Sequence, residues 1–254
     1  MLSLGGCSYT RYVNVNSLSA VVRSHPNNPD AYNIRGVIYG DYGDFEKALR
    51  DFQHALIINP RYYKAYANRA AIRYKMGDIP RAIADYSIAL KINPDYGFAY
   101  IGRGNIYRRK EYLDLQKAFS DFDRAVNLDP SDWRAWQGRA LIYQMRGEHE
   151  KAIADFSRSI SLSPLSPDPC NGRGISYLAI KNYDSAQRDF LMAISRDLKR
   201  PQSWFNHGLS FEMQGDYEDA LISYKKTLSI DSEDRWAKDG ISRVNRYLLA
   251  KSVK

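Results

Sequence analysis

The stretch Pro29–Tyr62, PDAYNIRGVIYGDYGDFEKALRDFQHALIINPRY, decides the fold. Tyr32, Gly36 and Tyr39 fall on one side of a helical wheel; after Gly43-Asp44, Ala48, Phe52 and Ala55 fall on one side of a second. Spacings of three and four residues place side chains on one face of an α-helix, so each half reads as an amphipathic helix. Gly43-Asp44 supplies the turn between them. Asn59, preceding Pro60, is pushed out of the α region, which ends the second helix. Such a hairpin cannot bury its apolar faces alone; it needs neighbours of its own kind.

The neighbours are present. Displaced by 34 residues, the chain matches itself: Tyr66, Ala70 and Tyr74, then Ala82, Tyr86, Ala89 and Asn93-Pro94. A third unit gives Tyr100, Gly104, Tyr107, Ala118, Phe122, Ala125 and Asp129-Pro130, with two extra residues in its turn between Glu111 and Gln116. A fourth gives Trp136, Ala140, Tyr143, Ala152, Phe156, Ser159 and Ser163-Pro164. The fifth has Cys170, Gly174, Tyr177, Ala186, Phe190 and Ala193, and the sixth Trp204, Gly208, Phe211, Ala220, Tyr224 and Thr227. Three departures stand out. Arg73 takes an aromatic position in the second unit, with Tyr74 shifted by one, and Leu198 and Ser232 replace the closing prolines of the last two. Those last two units are expected to keep the hairpin and change only the bend between repeats.

This pattern of large, small and aromatic residues resembles the tetratricopeptide repeat family over about residues 29–234. The resemblance implies an all-α fold, a right-handed superhelical solenoid of six helix-turn-helix repeats at about 29–62, 63–96, 97–132, 133–166, 167–200 and 201–234. The solenoid is read as one body over 13–250, with a lone helix near Ser17–Pro26 before it and a cap helix over 235–250 bearing Trp236, Ile241, Val244, Tyr247 and Leu248. An exposed end of a stacked array needs such a cap for solubility.

Charge follows the same period. The residue before the small one in the first helix is Arg35, Arg69, Arg103, Arg139 and Arg173; the residue before the second helix's aromatic is Asp51, Asp85, Asp121, Asp155 and Asp189. In the sixth unit both change together, to His207 and Ser223. That joint change marks Arg and Asp as partners in a structural ladder, and leaves open whether each pair closes within a repeat or between repeats. The ladder also withdraws five arginines from the basic surface. The formal charge of +8, from 37 Lys+Arg against 29 Asp+Glu, contains no long run of like charge, so no nucleic-acid partner is expected.

The resemblance further implies a concave groove, lined by the first helices, that binds proteins or peptides. Its expected lining is Asp30, Asn33, Val37 and Asp41, then Lys64, Ala67, Tyr74 and Lys75, then Phe98, Asn105, Arg108 and Arg109. Arg134, Gln137, Leu141 and Met145 follow, and then Ile175, Leu178, Phe205, Leu209 and Met213. The groove is thus expected to be basic in its middle and apolar toward its C-terminal half, suiting an acidic partner with an apolar anchor; the alternative is that the apolar half packs against the C-terminal helix. Some family members grip a C-terminal carboxylate through Lys and Asn; Asn68 or Asn206 fits the middle position, but Gly102 and Gly240 stand where basic partners are required.

No glycine-rich phosphate loop, nucleophile elbow or isolated carboxylate pair stands outside the repeat pattern, so no enzyme and no cofactor are expected. His25, His54, His149 and His207 share no ligand spacing, and Cys7 and Cys170 form no Cys-x-x-Cys pair, so no metal is expected. Cys170 occupies a core position and reads as a packed thiol. At the N-terminus Leu4-Gly5-Gly6-Cys7 resembles a bacterial lipobox, with residues 1–12 as motif and tether, although too few residues precede Cys7 for the apolar stretch of a signal. A start codon upstream of Met1 is therefore expected, with Cys7 as the lipidated residue and the membrane reached only through that anchor. The expected function is a periplasm-facing bacterial envelope lipoprotein that organises other proteins, the alternative being a soluble cytoplasmic adaptor.

Overall fold

The computed structural model describes residues 15–252, and the described residues are helical apart from their turns. Two compact units divide the chain between Pro130 and Ser131. The first holds α1 (Val15–Ser24) and three hairpins: α2 (Pro29–Asp41) with α3 (Phe45–Ile58), α4 (Tyr63–Lys75) with α5 (Ile79–Ile92), and α6 (Gly97–Tyr107) with α7 (Leu115–Leu128). The second holds α8 (Trp133–Met145) with α9 (His149–Leu162), α10 (Pro167–Ala179) with α11 (Tyr183–Arg196), α12 (Pro201–Gln214) with α13 (Tyr217–Ile230), and α14 (Arg235–Ser252).

Each hairpin follows from its turn chemistry. Gly43, Gly77, Gly147 and Gly215 adopt φ between 75° and 96°, the left-handed region that glycine enters without a Cβ clash. In the fifth hairpin Lys181 takes that place at φ 60°. The Asp44, Asp78 and Asp114 side chains accept from the backbone N–H groups of Lys47, Arg81 and Lys117, capping the second helices. Asn59, Asn93 and Asp129 leave the helix with extended backbone before their prolines. Asp197 and Asp231 do so as well, with no proline following, so Leu198 and Ser232 leave the hairpin intact.

Aromatic rings seated on small residues fill each hairpin. Phe52, Phe122, Phe156, Phe190 and Tyr224 are fully buried. A Cβ on Gly36 would lie 2.8 Å from the Phe52 ring, within one hairpin; a Cβ on Gly102 would lie 2.3 Å from Tyr86 Cζ, in the preceding one. Close helix approach here excludes even a methyl group. The cap helix α14 buries Ala237 and Val244, and its Tyr247 stacks on Tyr217 with centroids 4.8 Å apart. Trp236, expected among the packing residues, is 70% exposed, in the first turn of the helix and at the edge of the face that buries Ala237 and Val244.

The Arg–Asp pairs close within the repeats. Arg35 donates from Nε and Nη2 to the two Asp51 oxygens at 2.7 Å each; Arg69 meets Asp85 at 2.8 Å and Arg173 meets Asp189 at 2.7 Å in the same fork. Arg103 with Asp121 and Arg139 with Asp155 repeat it at 2.7–3.0 Å. The remaining nitrogen reaches back one repeat: Nη1 of Arg35 to Ser19, of Arg69 to Gln53, of Arg103 to Ser87 and of Arg173 to Ser157, at 2.6–3.3 Å. One guanidinium therefore ties three helices together. Aromatic rings cover it, as where Trp136 and Tyr143 lie 4.9 and 5.9 Å from Arg139 Cζ. Arg73, replacing an aromatic, adds a second cation on Asp85 at 2.6 Å.

The ladder ends at His207. Its Nδ1 lies 3.0 Å from Ser223 Oγ, while Nε2 is buried without a partner, and the residue sixteen before it is the apolar Leu191. Trp204 and Phe211 pack edge-on against the ring. Burial pulls the imidazole down to about 4, against a weaker opposing pull from Asp219.

Two stability predictions follow from these contacts. Arg35→Leu strands the buried Asp51 carboxylate and is expected to cost about 3–5 kcal/mol in urea unfolding, whereas Arg35→Leu with Asp51→Leu is expected to recover much of that loss. A double variant no more stable than the single would refute the pairing energetics. For His207, the unfolded chain binds the extra proton below about pH 6.5 and the folded chain resists it down to about 4. Stability referenced to His207→Asn should therefore fall as pH drops from 6.5 to 4 and level off below. Parallel stability–pH curves for the two proteins would contradict this.

Candidate peptide-binding face

In the first unit the first helices α2, α4 and α6 lie side by side. Asn68 Nδ2 donates to Asn33 Oδ1 at 3.0 Å, and the Tyr62 hydroxyl bonds Asp30. Near the C-terminal ends of these helices, Lys75 Nζ sits 5.9 Å from the centre of the Phe45 ring and acts on Asp41, whose carboxyl burial pushes up in pKa. Arg109 Cζ lies 5.6 Å from the Tyr74 ring, and Arg109 Nε pairs with Glu111 at 3.3 Å. Arg108 donates from Nε to Asn105 Oδ1 at 2.9 Å. Among the described residues no carboxylate pairs with Arg108, and burial lowers its guanidinium pKa. A half-buried cation whose Nη1 and Nη2 donate to no group among the described residues is free to donate to an oxyanion.

Other expected lining residues are used differently. Lys64 is exposed, Ala67 is fully buried, and Phe98 packs into the core between hairpins. In the second unit Arg134 is held by Asp132 at 2.6 Å, Gln137 is half-buried and Met145 is 48% exposed. The expected apolar half is largely absorbed by packing. Leu141 lies on the Phe156 cluster, Leu209 on Leu178 and Phe190, and Phe205 on Tyr224 beneath α14, at 5.5 Å between ring centres. Met213 and Ile175 remain exposed at 46% and 37%. The physical reason is that this helix face also supplies the contact with the following repeat, and bulky apolar side chains there turn toward it.

Sequence reasoning missed two contacts on this face. Gln144 donates to the Gly172 carbonyl at 2.9 Å and to Ser176 Oγ at 2.8 Å. Glu212 accepts from Nε and Nη2 of Arg243, at 2.7 and 2.9 Å, and from the Tyr224 hydroxyl at 2.5 Å, so α14 returns an ion pair to α12. The signal was present as Tyr rather than Phe at position 224. Cys170 is buried beside Arg196 and 3.5 Å from Met192 Sδ, and burial raises its thiol pKa. Cys7 and residues 1–14 lie outside the described residues. Among the described residues there is no cluster of metal-ligating side chains, and no helix is long and apolar enough to cross a membrane.

Models of the tetratricopeptide repeat match residues 29–62, 63–96, 122–154 and 171–235, more than half of the chain. The chain is a tetratricopeptide repeat protein. No curated protein sequence matches it. Among solved structures, a chain of the APC/C hetero-tetramer Cut9-Hcn1 aligns at TM-score 0.78 and 17% identity over 91% of this chain, which spans 46% of that one. PilW, a type IV pilus biogenesis factor, aligns at TM-score 0.75 and 17% identity over 83% of this chain and 97% of its own. YrrB, a tetratricopeptide protein with an unusual peptide-binding site, aligns at 0.60 and 21% identity over 74% of this chain and 96% of its own. These likenesses concern the fold. Tetratricopeptide repeat proteins act in general as non-catalytic scaffolds that bind other proteins or peptides.

Proposed function

We propose that this tetratricopeptide protein is a non-catalytic scaffold that takes an acidic segment of a partner protein on the first-helix face of its N-terminal unit. Arg108 carries the proposal: its guanidinium is held in place by Asn105, lacks a carboxylate among the described residues, and is acted on by Tyr74 of the preceding first helix. Folding gains little from such a group, because desolvation opposes the charge and no ion pair offsets it. A partner's carboxylate would supply the missing counter-charge.

Fluorescence anisotropy with a fluorescein-labelled glycine-serine peptide containing four acidic residues tests this. Arg108→Gln is expected to weaken binding about tenfold, consistent with losing a charge-assisted hydrogen bond. The same variant should melt no lower than the parent protein. Equal affinity in both proteins, or a peptide that fails to bind either, would remove Arg108 as the recognition point.

The setting we propose is the bacterial cell envelope, facing the periplasm, with Cys7 lipidated and the repeats presented from the membrane. Leu4-Gly5-Gly6-Cys7 supports this, as does the shared architecture with a pilus biogenesis factor. Expressed behind an upstream signal segment, the parent protein should incorporate an alkyne fatty acid, and Cys7→Ala should not. Equal labelling of the two would exclude the anchor and leave a soluble adaptor.

A further inference from the structure

The third hairpin differs from the others in a way that folding does not require. In the first, second and fourth hairpins one closing hydrogen bond spans five residues: Asp44 N–H to the Tyr39 carbonyl, Asp78 N–H to Arg73, and Glu148 N–H to Tyr143, each 2.9 Å. The third makes the same bond, Asp114 N–H to the Tyr107 carbonyl at 2.8 Å, across seven residues. Asp114 still caps α7 through the Lys117 N–H. The two extra residues are thus looped out beneath an unchanged closure, and the hairpin gains nothing from them in register or capping.

What the loop gains is surface. It turns through a 3-10 segment, Lys110–Tyr112, closed by the Tyr112 N–H to the Arg109 carbonyl at 3.0 Å. Tyr112 is left 37% exposed and Leu113 50% exposed. The Gly-Asp turns of the first and second hairpins each expose one apolar residue, Tyr42 at 67% and Met76 at 45%, whereas the inserted loop exposes two in succession. The loop begins at Arg109, which spans to Tyr74 in α4. Apolar Tyr112 and Leu113 thus follow Arg108 within one short loop, which Arg109, paired with Glu111, ties to Tyr74 in α4; Met76 lies two residues beyond Tyr74 at the neighbouring turn.

We infer that the inserted loop is the apolar half of a two-part recognition site, and that its occupant is an acidic protein segment carrying an aromatic or branched aliphatic residue next to its carboxylates. The inference rests on the acidic-segment reading of Arg108 and deepens it. Charge selects the occupant's acidic portion: Arg108 has no carboxylate among the described residues, and Lys110 adds a further cation on the loop itself. The flexible thioether of Met76 suits an anchor of variable shape. This places the apolar anchor at the turn edge of the N-terminal unit, outside the expected run from Phe205 to Met213.

The test uses the full chain and three labelled twelve-residue peptides read by anisotropy. One carries four acidic residues and a phenylalanine; in the second serine replaces the phenylalanine; in the third amides replace the carboxylates. With the parent protein, phenylalanine is expected to tighten binding at least fivefold. In Tyr112→Ser/Leu113→Ser that gain should shrink below twofold, while the serine peptide binds as before. Met76→Ser, which leaves the inserted loop untouched, should lose part of the same gain. A phenylalanine gain that survives in both variants, or is absent in the parent protein, overturns the inserted loop as anchor site. The acidic-segment reading fails separately, if the amide peptide binds as well as the acidic one or Arg108→Gln changes nothing.

Discussion

A guanidinium that is forked to one helix, hydrogen-bonded to another and carried by a third fixes all three at once, and the Arg–Asp fork recurs in the first five hairpins, the sixth closing with His207 on Ser223 in its place. Apolar packing already resists a slide of α2 along α3, because the Phe52 ring is accommodated only over Gly36. The bidentate pair fixes the same offset through polar groups. Arg35 satisfies both Asp51 oxygens only at a single offset, and its third nitrogen meets Ser19 only if the preceding helix is in step. Desolvation consumes much of the Coulombic gain in such pairs, so what the ladder confers is specificity of alignment more than net stability. The covering aromatic rings explain why a chain with 20 tyrosines places so many of them at fixed repeat positions.

Much of this was legible in the sequence because repetition averages out local ambiguity. A single Tyr-x3-Gly-x2-Tyr run is weak evidence for a helix; six in phase with Ala-x3-Phe are not. The joint loss of Arg and Asp in the sixth repeat identified the partners without a structure. The partition of each guanidinium between its own repeat and the one before was not legible: the third acceptor, Ser19, Gln53, Ser87 or Ser157, always lies sixteen residues before its arginine, but a lone serine or glutamine on a helix reads equally well as a solvated position. Nor was the fate of the first-helix face. Leu141, Phe205 and Leu209 have a groove-lining spacing, yet long apolar side chains on a packed helix lean toward the nearest core. Spacing gives the side of a helix; it does not give which of two neighbours claims the side chain.

The candidate site emerges from a comparison the repeats make possible. Tyr74, Arg108, Gln144, Leu178 and Glu212 occupy one equivalent position in five successive units. Leu178 is buried, Gln144 bonds the next first helix, Glu212 is taken by Arg243 and Tyr224, and Tyr74 underlies Arg109. Arg108 alone in this series places a formal charge where no charge of opposite sign among the described residues meets it. In a repeating scaffold, residues that recur are explained by the stacking they share, and a residue that breaks the series must be explained by something else. Two breaks coincide here, an arginine with no opposite charge among the described residues and a two-residue insertion in the turn that follows it.

Coincidence of that kind follows from what a repeat can tolerate. The interior of each hairpin is filled to the point that Gly36 and Gly102 admit no methyl group, so variation inside it is closed off. The ladder closes the adjacent polar positions, because altering one partner strands the other. Turn edges and the ends of the first helices are what remain free to change without disturbing neighbours, and a loop held beneath an unchanged closing bond is the least disruptive change available. On the proposed reading, a filled interior leaves recognition to the turn edges, and the third hairpin carries both an arginine without a carboxylate among the described residues and two exposed apolar side chains on such an edge.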